Sequence, residues 1–172
     1  MIELKTDRLL VREFDTNDAE FIVELLNQPS FIQFIGDKGV RSVDDAKNYI
    51  ATGPIASYQR HGFGLYLVEL KDRKVAMGMC GVLKRESLPD PDLGFAFLPE
   101  YWGNGYAFEA ASAALDQARD VFRLTRILAI TNPDNDASIK LLAKLGFQLE
   151  RVMKLSRDAD EVKLFSLMFE PS

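Results

Sequence analysis

Apolar residues recur along this chain with two periods, and the switches between them outline its elements. Residues 8–14 hold Leu9, Leu10 and Val11 in a short strand-like run. Asn17 and Glu20 then give an Asn-x-x-Glu helix start, with Phe21, Ile22, Leu25 and Leu26 at helical spacing and Pro29 marking the end. Residues 30–35 read as a second short helical turn closed by Gly36, in which Phe31, Phe34 and Ile35 form an apolar cluster suited to core packing. Ser42 and Asp45 open another helix carrying Val43, Ala46, Tyr49 and Ile50, which Gly53-Pro54 is expected to break or kink. Residues 65–70 and 75–83 flank the polar turn Lys71-Asp72-Arg73-Lys74 as a β-hairpin. Residues 84–91, with two prolines, read as a loop placed to border a ligand entrance.

The second half continues in the same manner. Residues 93–98 are a compact β-forming run ended by Pro99, and Gly103-Asn104-Gly105 precedes a helix over residues 107–122. That helix carries Ala107, Ala110, Ala111, Ala114, Leu115, Ala118 and Phe122 along one side, small enough to lie close to a sheet. A strand over 126–131, a short helix over 136–145 ended by Gly146, and a closing hairpin of 147–155 and 161–170 complete the chain. This order predicts an α+β fold: a three-layer α/β/α sandwich with a mixed, mostly antiparallel sheet.

Composition narrows the picture. The 172 residues, 47% hydrophobic and 27% charged, suit one domain over 1–172. A net charge of −5 argues against a nucleic-acid partner. One cysteine, Cys80, and one histidine, His61, exclude an intramolecular disulfide and argue against a His/Cys metal site. Cys80 is expected to be a buried strand residue. Met1 leads directly into the charged Glu3, Lys5 and Asp7, and no stretch is long and apolar enough to span a bilayer, so a cytoplasmic protein with no membrane partner is expected.

The candidate chemistry lies between residues 92 and 110. Glycines between a strand and a helix turn backbone N–H groups toward an anion, and a helix N-terminus adds partial positive charge, which together suit a pyrophosphate. The same two glycines also suit a plain tight turn. The chain lacks Gly-x-x-x-x-Gly-Lys-Ser/Thr and a third glycine placed for a dinucleotide fold, which argues against ATP and NAD.

Trp102-Gly103-Asn104-Gly105-Tyr106-Ala107 resembles the Gln/Arg-x-x-Gly-x-Gly/Ala acyl-CoA loop of the GCN5-related N-acetyltransferases (GNATs), with Trp102 in place of Gln or Arg. The wording from Pro99 to Ala107 resembles the branch of ribosomal-protein N-terminal acetyltransferases, RimJ/RimL-like. Thr6-Asp7-Arg8-Leu9-Leu10-Val11-Arg12 and Asn132-Pro133-Asp134-Asn135-Asp136-Ala137-Ser138, leading to Leu145-Gly146-Phe147, fit that branch in the same order. The resemblance implies a splayed sheet, acetyl-CoA as cosubstrate, and an amine acceptor, either a peptide N-terminus or a small molecule. It also implies that the segment after the first strand, with Phe31, Phe34 and Ile35, lines the acceptor side, and that the chain is a monomer or homodimer.

Acyl transfer to an amine needs a held cofactor, a neutral amine, oxyanion stabilisation and a proton for the leaving thiolate. By resemblance, residues 93–98 pair with the pantetheine arm, an amide near Phe97 or Leu98 faces the thioester carbonyl, and the amides of Trp102, Gly103, Asn104, Gly105, Tyr106 and Ala107 take the pyrophosphate. Asp92 stands where the family often has a base acting through water, and reads also as an exposed loop aspartate between prolines; Glu86 and Glu100 are alternatives. The position of the family's tyrosine acid holds Leu142, which leaves Ser138 to hydrogen-bond the leaving sulfur or simply to satisfy its own helix turn. Asn132 and Asn135 read as turn and cap residues that also touch the pantetheine arm. With no activated nucleophile, direct transfer in a ternary complex is expected. The alternative is a non-catalytic acyl-CoA-binding sensor.

Overall fold

The computed structural model describes residues 2–170. The chain runs β1 (Glu3–Lys5), β2 (Leu9–Arg12), α1 (Ala19–Leu26), α2 (Pro29–Phe34), α3 (Val43–Ile50), α4 (Ala56–His61), β3 (Leu65–Leu70), β4 (Val75–Leu83), β5 (Asp92–Phe97), α5 (Tyr106–Asp120), β6 (Arg126–Thr131), α6 (Asp136–Lys144), β7 (Gln148–Lys154) and β8 (Glu161–Met168). The strands form one open sheet in the order β1-β2-β3-β4-β5-β6-β8-β7. Every neighbouring pair is antiparallel except β5 and β6, which are parallel and share a single register pair, Asp92 with Leu128. The mixed, mostly antiparallel sheet and the α+β class expected from the sequence are therefore what the chain adopts.

The two larger cores lie on opposite faces of the sheet. The small residues of α5, Ala110, Ala111, Ala114 and Ala118, are all buried with Leu142 of α6 against Tyr66, Cys80, Leu93 and Phe97. The other face carries α1, α2 and α3, whose Ile22, Leu25, Phe31 and Ile50 pack on Leu67, Met79 and Leu98. Strand alternation divides β5 between them: Leu93, Phe95 and Phe97 meet α5, while Ala96 and the following Leu98 meet the α1–α3 layer.

Several local expectations need correction. The first strand expected over 8–14 is present as β2, Leu9–Arg12, but β1 before it was missed, three residues being too short a run to show alternation. The first helix is capped two residues earlier than Asn17, by Asp15 with Asp18 closing a capping box on a 3-10 turn that leads into α1. The Ser42–Asp45 capping box is present. Gly53-Pro54 does not break the helix: Ala51–Ile55 forms a π turn joining α3 to α4, and the wider turn accommodates a residue with no N–H to donate. The loop 84–91 does not border the entrance; it drops Leu88 into a small core with Leu128 and Leu164 at the sealed end of the sheet.

Candidate active site

The parallel pair β5–β6 parts after Asp92, and the opening is the origin of the main cleft. The N–H of Leu98 donates to the Met77 carbonyl at 2.9 Å, so β5 residues two and four positions back also direct their backbone groups to β4. Those of Phe95 and Phe97 then face the other edge, toward β6. Leu128 confirms the parity near the strand start, donating its N–H to the Pro91 carbonyl at 2.9 Å. Beyond that point the β5 edge is open, and Phe95, Ala96 and Phe97 line a cavity of about 570 Å³.

At the end of β5 a 3-10 turn, Pro99–Tyr101, leads to the glycine loop. Gly103 and Gly105 have φ of +80° and +81°, the left-handed region that other residues enter only with strain. No side chain caps the first turn of α5, so the N–H groups of Tyr106 and Ala107 at the cleft wall have no side-chain partner. Uncapped amides at a helix N-terminus suit an anion, and α6 adds Lys140 and Lys144, together with Asp136 and the preceding Asp134, to the lining of the same cavity. An open strand edge leading to such a loop fits an acyl-CoA: amide groups of the pantetheine arm match the edge, and the pyrophosphate matches the loop.

The cleft brings together Phe97, Trp102, Gly103, Gly105, Tyr106, Ala107, Asn135 and Ser138. Asn135 also fulfils its capping role, its Oδ1 accepting the Ser138 N–H at 3.3 Å. Trp102 contributes its side chain rather than its amide: the N–H donates to the Pro99 carbonyl at 3.1 Å, while the indole Nε1 donates to the Phe97 carbonyl at 2.9 Å.

Four expected site residues do not line the cleft. Leu98 is buried with its N–H engaged by Met77, so of the two amides considered only that of Phe97 faces the opening. Asn104 turns its side-chain amide to the Tyr101 and Trp102 carbonyls. Asn132 closes an Asx turn on the Asp134 N–H at 2.8 Å. Asp92 is the largest correction. It is neither a loop residue nor exposed: it begins β5 at 0% exposure, with Arg85 Nε 3.0 Å from its carboxylate. Burial pushes its carboxyl above the ordinary range, against the pull of Arg85. Glu86 and Glu100 are likewise off the cleft wall. Leu142 packs in the core, and the α6 leucine on the cleft is Leu141, so no tyrosine acid stands on that helix. Cys80 is buried as expected, with its thiol pushed up to about 12 by desolvation, which removes it as a nucleophile.

The opposite wall comes from α1 and α2: Leu25, Gln28, Ser30, Phe31, Phe34 and Ile35. The sequence offered Phe31, Phe34 and Ile35 for this wall through resemblance alone. Leu25, Gln28, Ser30 and Tyr101 escaped notice because helical periodicity marks an apolar residue as buried without saying whether a core or a cavity receives it. Among the described residues, no group of three or more His, Cys, Asp or Glu is placed to hold a metal ion, and no helix is long and apolar enough to cross a membrane.

Comparison with known proteins agrees with this geometry. Residues 8–148 match the acetyltransferase (GNAT) domain. The "Uncharacterized N-acetyltransferase YoaA" of Bacillus subtilis (strain 168) is 30% identical over 152 residues, covering 88% of this chain and 85% of that protein. Among solved structures, an acetyltransferase from Agrobacterium tumefaciens str. C58 superposes with a TM-score of 0.84 at 21% identity, covering 98% and 95% of the two chains. RimL, a ribosomal L7/L12 alpha-N-protein acetyltransferase in complex with coenzyme A, gives a TM-score of 0.84 at 18% identity, covering 97% and 98%.

Proposed function

This chain belongs to the GNAT family and is an acetyltransferase that uses acetyl-CoA, and from that premise we propose that its acceptor is the α-amine of a peptide N-terminus bearing apolar leading side chains. The observation that carries the reading is the α1–α2 wall, where Phe31, Phe34, Ile35 and Leu25 stand with Gln28 and Ser30 and no carboxylate. A polyamine is held by acidic groups, and the carboxylates of this cavity, Asp134 and Asp136, stand at the start of α6 and not on this wall. An α-amine of pKa about 8 is roughly one-tenth neutral at pH 7, whereas an alkylamine of pKa about 10.4 is neutral in roughly one molecule in 2,500. With Asp92 off the cleft wall and sealed under Arg85, the site favours the weaker base. RimL, whose fold is shared, acts on a protein α-amine.

Acetyl-CoA supplies the activated acetyl group. The Phe97 N–H is the donor directed to the open edge, suited to the oxyanion that forms as the amine attacks. The Ser138 hydroxyl lines the same cavity, suited to donate a hydrogen bond to the sulfur as the C–S bond breaks. With Cys80 buried and protonated, the acetyl group passes directly to the amine in a ternary complex. The test is CoA-thiol release across peptides with apolar N-termini, amino acids, spermidine and aminoglycosides. Peptides are expected to exceed spermidine by about 100-fold in kcat/KM; turnover of spermidine with the peptides inert would overturn the assignment.

A further inference from the structure

The turn between β1 and β2 reaches the glycine loop from behind. Arg8 Nη1 donates to the Asn104 carbonyl at 2.9 Å, Arg8 Nε donates to Glu109 Oε1 at 2.7 Å, and the Arg8 N–H donates to Glu109 Oε2 at 3.0 Å. The Thr6 hydroxyl donates to the same Oε2, and the guanidinium lies 4.4 Å from the centre of the Tyr106 ring. These contacts bracket Gly105, with Asn104 before it and Tyr106 and Glu109 after it. An isolated exposed ion pair is worth little, but a carboxylate with three donors and a guanidinium holding both a carbonyl and a ring face restrict geometry.

The Asn104–Gly105 peptide is trans, so its C=O and N–H point in opposite directions. With the Asn104 oxygen drawn to Arg8, the Gly105 N–H is turned away from Arg8, and Gly105 lines the cleft. We propose that Arg8, held by Glu109 and Thr6, is a positioning clamp that locks the Asn104–Gly105 peptide with its N–H turned to the pyrophosphate of acetyl-CoA. The proposal rests on the reading that this loop holds the pyrophosphate. It differs from a direct role for Arg8 as a phosphate ligand in its dependence on Glu109. If Arg8 acted through its own charge, removing Glu109 would free the cation and remove a negative charge from an anion site, and binding would tighten. If Arg8 acts as a clamp, removing Glu109 weakens binding.

The experiment measures KM and kcat of the full chain with acetyl-CoA and with S-acetylpantetheine, which has no pyrophosphate. Arg8→Met and Glu109→Gln are each expected to raise the acetyl-CoA KM by about tenfold or more, with the S-acetylpantetheine KM and the kcat within about twofold of the parent. Arg8→Lys, which keeps the charge but not the fork, is expected not to restore the acetyl-CoA KM. Equal rises for both donors would show general structural damage and overturn the clamp. An unchanged or lowered acetyl-CoA KM in Glu109→Gln would overturn it in favour of a direct charge. The parent separates the underlying reading: an acetyl-CoA KM well below that for S-acetylpantetheine supports the loop assignment whatever the clamp variants do, whereas equal KM values for the two donors remove the assignment and the clamp with it.

Discussion

The two ends of β5 differ in how their edges are used. At Asp92 the strand is paired on both sides, with Leu83 of β4 and Leu128 of β6, and the side chain is sealed beneath Arg85. From Phe95 to Phe97 only the β4 edge is paired, and the other borders the cleft. One strand of six residues is thus scaffold at its start and binding surface at its end. The difference arises in the neighbour: β6 meets β5 at one register pair and then follows β8 through six. An unpaired edge inside a protein is a liability unless something satisfies its polar groups; the Trp102 indole satisfies the Phe97 carbonyl, and the proposed pantetheine arm would take the groups that remain.

The largest expected effect tests the sealed end. Asp92→Ala should empty a fully buried site and leave Arg85 Nε without its partner, costing about 2 kcal/mol of stability in denaturant unfolding, with kcat/KM within about threefold of the parent. A fall in kcat of about 100-fold at unchanged stability would make Asp92 a general base and end the distinction between the two ends. A smaller effect is expected at the open end. Ser138→Ala should lower kcat about tenfold, roughly 1.4 kcal/mol, with the acetyl-CoA KM unchanged; an equal loss in KM would make Ser138 a binding residue only.

The smallest effect concerns the support behind the loop. Partial burial raises the Glu109 carboxyl, but the Thr6 and Arg8 donors outweigh it and hold the group below its ordinary 4.5. A carboxyl lowered on folding adds stability above its unfolded value and loses that contribution as pH falls through the folded one. The difference in Tm between the parent and Glu109→Gln should therefore be full near pH 6, about 2 °C, and shrink below about pH 4.5. A difference independent of pH would assign the effect to packing and not to charge.

Much of this molecule was legible from local pattern. The β3–β4 hairpin around Lys71-Asp72-Arg73-Lys74, the Ser42–Asp45 cap, and the alanine-lined α5 all stand where periodicity and turn chemistry place them. The glycine turn was legible for the same reason, since Gly103 and Gly105 set a local backbone conformation just before a helix, whereas its reading as a cofactor loop came from the family resemblance. The opposite wall was not legible from pattern, because Leu25 and Phe31 have the same helical spacing whether they face a core or a cavity, and only the resemblance offered Phe31 for it. Asp92 misled because a position relative to a motif says which strand a residue occupies but not what lies over its side chain.

By itself the sequence determined most of the order of elements, all but β1 and α4, with the mixed sheet and the glycine turn, because propensity, capping and turn geometry act among neighbours in the chain. Only the tertiary structure decided which β5 amides are free, that Arg85 covers Asp92, and that Arg8 holds the carbonyl of Asn104, 96 residues away. Those outcomes depend on register, strand parity and the packing of distant segments, and each is set by a partner that no local pattern encodes.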